Sequence, residues 1–329
     1  MTKSCRMTWA ASLLALAGVL QWQCALAIGN ASGKDVEARS LLNQGKANVA
    51  IAVLQKALSA NPQDAQAHNL LCRVYYQEGR WSDAVHECQT AVQQGPNNSE
   101  YHDWLGRVYG EQAQRASMLT AYSLAKKVHA EFVTAVQLDP HNVPALCDLG
   151  EFAVDAPGFL GGGLDKAGAI AAQLRPLDAG KYHWLLAKIA GKKKDPTTAE
   201  RELKLAIASS KAPAEAWMDL ASFYGKQGDL PAMEQAVQSG RTADKNPGAA
   251  LVDGASILLR YKRNFPLAEQ MLRQYLASDD LTEGAPAFQV HDELGALLAR
   301  QGRSAEAQQE YATAQALATG DTTIRQQAQ

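Results

Sequence analysis

The sequence predicts an all-α chain, a solenoid of about eight stacked helical hairpins, and three observations carry that reading. Between Ala65 and Asn98, the residues His68, Leu71, Cys72 and Tyr75 recur at spacings of 3 and 4, which places them on one face of a helix. Gly79 ends that helix, Ala84, Cys88 and Ala91 form the stripe of a second, and Pro96 cannot continue it. The same offsets return near the other end of the chain as His291, Leu294, Gly295, Leu298, Gly302, Ala307, Tyr311 and Ala314. Aromatic residues make up only 7% of the chain and β-branched runs are absent, so nothing supports a sheet.

Two partial copies lie between and before these. Trp217, Leu220, Ala221, Tyr224 and Gly228 repeat the first helix, and Gly45, Ala50, Leu54, Ala57 and Pro62 repeat the second. The pattern resembles the tetratricopeptide repeat, W-x2-L-G-x2-Y followed by A-x3-F and then A and P, over about nine tenths of the chain. That resemblance implies a right-handed superhelix. The spacing also has a physical cause, because two helices that cross closely need a small residue at the contact. Cys72, Gly106, Gly150, Ala187, Ala221 and Gly295 fill this slot in the first helices, and Ala50, Ala84, Ala167, Ala199, Ala268 and Ala307 face them from the second. Leu54, Phe132, Leu203, Leu272 and Tyr311 wedge against the next hairpin. A lone hairpin leaves one face bare, so stacking is obligatory, and a fixed period overrides the two domains that length alone would suggest.

The chain opens with Lys3 and Arg6, an apolar run from Met7 to Leu20, and Ala25-Leu26-Ala27. This predicts a secretory signal at residues 1–27, cleaved after Ala27, with export to the periplasm or beyond the cell. The run is too short to span a bilayer, so no membrane span is expected in the mature chain. A lipoprotein signal through Cys24 is disfavoured by Trp22 and Gln23, where small residues are expected. Residues 28–321 then form the solenoid and 322–329 a polar tail. Hairpins are expected at 31–64, 65–98, 99–142, 143–179, 180–213, 214–247, 249–281 and 288–321. The third carries ten extra residues between Tyr109 and Phe132, so both its helices should be longer and its tip, around Arg115 to Lys127, should protrude. The fourth inserts Ala156-Pro157-Gly158-Phe159-Leu160-Gly161-Gly162-Gly163. A phosphate loop would need Lys and Ser/Thr after the last glycine, and Leu164 and Asp165 stand there instead. The expectation is a turn with positive φ, with Phe159 and Leu160 tucked against the hairpin. The insert resembles Pro-Gly-Phe-Leu-Gly-Gly turns of exported bacterial tetratricopeptide proteins.

The whole chain has 32 basic and 34 acidic residues, and loss of Lys3 and Arg6 with the signal leaves 30 and 34. A net charge of −4 with no basic excess argues against a nucleic-acid partner. His68, His102, His183 and His291 all occupy the slot of Trp217, which marks them as packing residues. Adjacent hairpins lie roughly 9 to 10 Å apart, too far for two such imidazoles to share an ion at about 2 Å each. No metal or other cofactor is expected. His86-Glu87 lacks a second histidine four residues after the first, and no serine sits in a G-x-S-x-G turn, so no enzyme is predicted.

Cleavage at Ala27 would leave Cys72, Cys88 and Cys147. Cys72 and Cys88 lie equally far from their turn on antiparallel helices, so their Cα atoms can approach within ~7 Å. The spacing fits a disulfide and equally fits two buried thiols.

In the resembled family, template positions 2, 5, 9, 12 and 13 of the first helices line a concave groove that holds peptides. Here they include Asn69, Arg73 and Tyr76, then Asp103 and Arg107, then Lys181, Trp184 and Lys188. The carboxylate clamp of some members needs Lys at position 5, where this chain has Asn69, Asp103 and Trp184. The resemblance therefore implies a noncatalytic scaffold that holds another protein's segment in its groove, without that clamp. Trp184 beside Lys181 and Lys188 suggests a patch for an extended acidic segment. A register slip of one residue would instead bury Trp184 and turn His183 outward. Two alternatives stay open: a receptor for a small ligand or cell-wall fragment, which a deep aromatic pocket would favour, and an enzyme with an unrecognised site.

Overall fold

The computed structural model describes residue 33 and residues 35–319. The expected signal peptide with its Ala27 cleavage site and Cys24, and the tail at 322–329, lie outside the described residues.

Sixteen α-helices and no strand occur among the described residues. They pair as α1 (35–43) with α2 (Ala47–Ala60), α3 (Ala65–Gln77) with α4 (Trp81–Gln94), α5 (Ser99–Arg115) with α6 (Met118–Leu138), and α7 (Val143–Asp155) with α8 (Leu164–Leu174). The second half pairs α9 (Ala179–Lys192) with α10 (Pro196–Ser209), α11 (Ala214–Gln227) with α12 (Leu230–Arg241), α13 (Ala250–Arg260) with α14 (Phe265–Leu276), and α15 (Ala287–Arg300) with α16 (Ser304–Leu317). The fold is an α-solenoid of helical hairpins.

Local chemistry sets the boundaries. Asp64, Asn98, Asn142, Asp178, Asp195, Asp229 and Asn264 cap helix N-termini by accepting a backbone N–H two or three residues on. The small-residue slot is literal: a Cβ on Gly106 would lie 2.5 Å from the ring of Phe132, one on Gly295 2.6 Å from that of Tyr311, and one on Gly150 2.5 Å from Leu185. Phe132 and Tyr311 thus close onto the glycines of their own hairpins, and Leu185 of α9 closes onto the glycine of the hairpin before it.

The extra residues of the third hairpin lengthen α5 to 17 and α6 to 21 residues, as expected. The turn after α7 is a single 3-10 turn at Gly158–Leu160, with Gly161 and Gly163 at φ +104° and +142°. The expectation for Phe159 fails. Its side chain is 74% exposed and its ring stacks on Tyr122 of the neighbouring hairpin, at a centroid distance of 6.2 Å. The turn is seated on α6 at Gly161, where a Cβ would lie 2.4 Å from His129, and this carries Phe159 outward past its own hairpin.

Cys72 and Cys88 are joined by a disulfide with Cα atoms 5.3 Å apart, inside a fully buried pocket of the first core. Cys147 is free and half-buried, and burial pushes its thiol pKa up to about 12.

The solenoid closes on itself. Phe288, Ala314 and Ala318 of the last hairpin share one apolar core with Ala38, Leu42 and Leu54 of the first. Asn48 donates to the carbonyl of Ala316 and accepts from the Thr319 N–H, and Gln289 donates to the carbonyl of Gln77. Gly45, at φ +63°, lies so close to the start of α15 that a Cβ would sit 2.2 Å from the Ala287 nitrogen. First helices of successive hairpins pack on one another, α3 on α5, α5 on α7 and α7 on α9, so these helices form the inner wall of the closed turn.

Candidate partner-binding face

The histidine slot keeps its register through the irregular fourth hairpin. Nδ1 of His68, His102, His183 and His291 lies 2.5 to 2.8 Å from the carboxylates of Glu87, Glu131, Glu202 and Glu310 on the second helix of the same hairpin. The separation is 19 residues in three hairpins and 29 in the third, which carries the ten-residue insertion. His183 therefore packs, the one-residue slip does not occur, and Trp184 faces the inner wall. His102 also donates from Nε2 to the Pro96 carbonyl at 2.9 Å. The Glu131 hydrogen bond, opposed by burial and aided by that carbonyl, raises its pKa.

The expected groove residues divide into two groups. Asn69, Arg73 and Asp103 are buried, and Asn69 is fully so, with neither side-chain amide atom hydrogen-bonded. Arg73 is only 5% exposed. Its Nε donates to Glu283 at 3.1 Å, Nη1 pairs with Glu100, and its guanidinium lies 4.9 Å from the Trp104 ring centre. Glu283 belongs to the connector before α15, which buried Tyr275 fixes by donating to the Ala285 carbonyl and accepting from the Thr282 N–H. Arg73 is thus a closure residue that ties the two ends of the solenoid together. Arg107 covers the other face of Trp104 at 4.7 Å and pairs with Asp148 and Asp103. Burial, opposed by Arg107 and reinforced by Asp148, raises the Asp103 pKa well above the carboxylate range. Tyr76 meets Trp104 and Trp81 edge-on, at 5.6 and 5.4 Å. A cavity of about 960 Å³ opens beside Arg73, Trp104, Arg107 and Tyr101, but both arginines already have two carboxylate partners.

The second group lies around α9. Trp184 is half-buried against the core around Leu146 and Leu185, with the Nζ of Lys188 and Lys181 at 5.0 and 5.8 Å from its ring centre. Lys188 pairs with Glu151 and Lys181 with Glu215. Trp184, Lys188, Lys192, Phe223 and Lys226 border a concavity of about 450 Å³ on the inner wall. Lys226 is exposed and makes no ion pair among the described residues.

Asp219, on the same concavity, escaped the sequence reading. It occupies the sixth template position, which holds Leu70, Trp104 and Leu185 in three hairpins and the carboxylates Asp148, Asp219 and Glu293 in three others, and that recurring carboxylate was the available signal. Burial, opposed by Lys181, raises its pKa to about 6. Asp253 is likewise raised to about 6 by its surroundings and by Glu215, and Glu293, hydrogen-bonded to Ser256, is raised by burial. Trp104 also holds the sixth position, where an aromatic side chain carries no such signal. Among the described residues, no group of three or more His, Cys, Asp or Glu side chains can hold a metal ion, and no helix is long and apolar enough to cross a membrane.

A family model of the tetratricopeptide repeat matches residues 41–108. Residues 41–108 are thus a tetratricopeptide repeat segment. A thermophilic TPR protein of Thermus thermophilus aligns with it at 19% identity over 59% of this chain and 98% of its own, with a TM-score of 0.50. Yeast Tom70 aligns at 17% identity over 86% of this chain and 57% of its own, with a TM-score of 0.53. Both are likenesses of fold. No curated protein matches the chain. On the inner wall, Trp184 stays partly open to solvent whereas Arg73 is buried.

Proposed function

We propose that the chain is an exported, noncatalytic scaffold whose inner wall holds an extended segment of another protein across Trp184. One observation carries this reading: a partly buried indole flanked by lysines borders a concavity in which Lys226 has no carboxylate of its own. A partner segment that stacks an apolar side chain on Trp184 and sets an acidic residue at Lys226 would satisfy both. The paired arginines beside the larger cavity offer no such vacancy, which weighs against a small anionic ligand there. Export is supported by the signal-like residues 1–27 and by the Cys72–Cys88 bridge, since disulfides persist in oxidising compartments.

The test is affinity capture from the compartment in which the chain resides, with wild type, Trp184→Ala and Lys226→Glu compared at equal loading. A protein retained by wild type and lost from both variants, with thermal midpoints unchanged, is the expected result. Equal capture by all three sinks the reading. A stability loss of several kcal/mol in Trp184→Ala would make the indole core rather than contact.

A further inference from the structure

We propose that the tip of the third hairpin docks the protein onto an anionic lipid bilayer. Two separate elements build one apolar knob there. Met118, Leu119 and Tyr122, in the first turns of α6, share a helix face and are 88, 86 and 44% exposed. Phe159, from the inserted turn of the next hairpin, is 74% exposed and stacks on Tyr122. The turn is held in this position by the seating of Gly161 on His129 and by Lys166, whose Nζ donates to the Gly161 carbonyl at 3.0 Å. Apolar side chains clustered into one exposed patch mark an interaction surface.

On the α6 side of the knob the charges have one sign. From Gln112 to Ala130 the chain has Arg115, Lys126 and Lys127 and no acidic residue. Lys126 lies 4.6 Å from the Tyr122 ring centre, on the knob itself, while Arg115 is taken up by Glu111 and Trp81. Asp155 and Asp165 flank the inserted turn and are the acidic residues nearest to it in sequence.

Shape selects the occupant. The added turns of α5 and α6 carry the knob roughly 5 to 10 Å beyond the other hairpins, at 1.5 Å per residue. A projecting knob offers no groove for a peptide. Four side chains are also too few for a stable dimer, which needs about 800 Å² from each partner. A bilayer accepts projecting apolar groups into its acyl boundary while lysines stay at the anionic headgroups.

The test uses the chain from residue 28 onward, which keeps every described residue, in flotation with phosphatidylcholine vesicles with and without phosphatidylglycerol. Wild type should float with the anionic vesicles and stay behind with the neutral ones. Leu119→Ser combined with Phe159→Ser should lower the bound fraction at least about tenfold with unchanged circular dichroism. Lys126→Gln with Lys127→Gln should weaken binding and flatten its salt dependence. Wild type that fails to float, or an apolar double variant that floats as well as wild type, overturns the proposal. So does concentration-dependent self-association that the apolar variant abolishes, since the knob would then join two copies.

Discussion

Replacing Arg73 with alanine separates a closure residue from a binding residue. In the structure this guanidinium is nearly buried, donates to Glu283 on the last connector, pairs with Glu100 on α5 and lies against Trp104. Removing one partner of a fully buried ion pair costs about 3 to 5 kcal/mol. Here the carboxylates of Glu283 and Glu100 keep 27% and 39% of their side-chain surface, so water can take up much of what the arginine gave. That discount leaves about 1.5 to 3 kcal/mol for the charged hydrogen bonds, plus roughly 1 kcal/mol for the contact with Trp104. Arg73→Ala should therefore destabilise by about 2.5 to 4 kcal/mol in urea unfolding followed by circular dichroism. Combined with Glu283→Ala it should show a coupling of at least ~1 kcal/mol, because the two residues act across the closure. Unchanged stability together with a coupling below about 0.5 kcal/mol would refute the closure argument and return Arg73 to the groove.

Gly45→Ala places a methyl group within 2.2 Å of the Ala287 backbone at a φ of +63°, so it should lower stability and expand the particle in small-angle scattering, whereas Gly228→Ala, at a positive φ but with open space around it, should lower stability without expansion. Cys72→Ser with Cys88→Ser removes a bridge of sequence separation 16, a loop worth about 3 kcal/mol, and a loss near zero would mean the bridge does not form in solution. On the chain from residue 28 onward, alkylation after denaturation without reduction should modify one thiol, Cys147, and three modified thiols would contradict the bridge. Asp219 at about 6 against an ordinary 3.8 binds its proton more tightly folded than unfolded, so stability should fall by up to ~3 kcal/mol as pH rises from 4 to 6, and Asp219→Asn should flatten that fall. The raised pKa of His102 acts in the same direction: its contribution is full below the ordinary value of 6.5 and is lost as pH rises through the folded value.

Most of the architecture was legible because it is periodic. The offsets around His68 and His291 fixed the hairpins, and a ten-residue excess between Tyr109 and Phe132 could only lengthen two helices. The glutamates that fix the histidines were also readable, since each stands 19 residues on, or 29 across the insertion. Closure was not readable. Arg73 and Glu283 are 210 residues apart, and whether they meet depends on the superhelical pitch, a sum of small rotations at every hairpin junction. Arg73 sits at a template position that would line an open groove, and only the returning last hairpin buries it. Phe159 failed for a related reason: a turn's own hairpin was assumed to be its support, and the neighbouring long hairpin supplied the contact instead.

Site-specific photocrosslinking tests most directly whether a partner segment lies against the inner wall at Trp184. A photoreactive residue at position 184 should trap a partner in the chain's own compartment, while one at Leu205, exposed on the second helix of the same hairpin, should trap none. Crosslinking of the same partner from 205 and not from 184 would place the contact on the outer face and contradict the account.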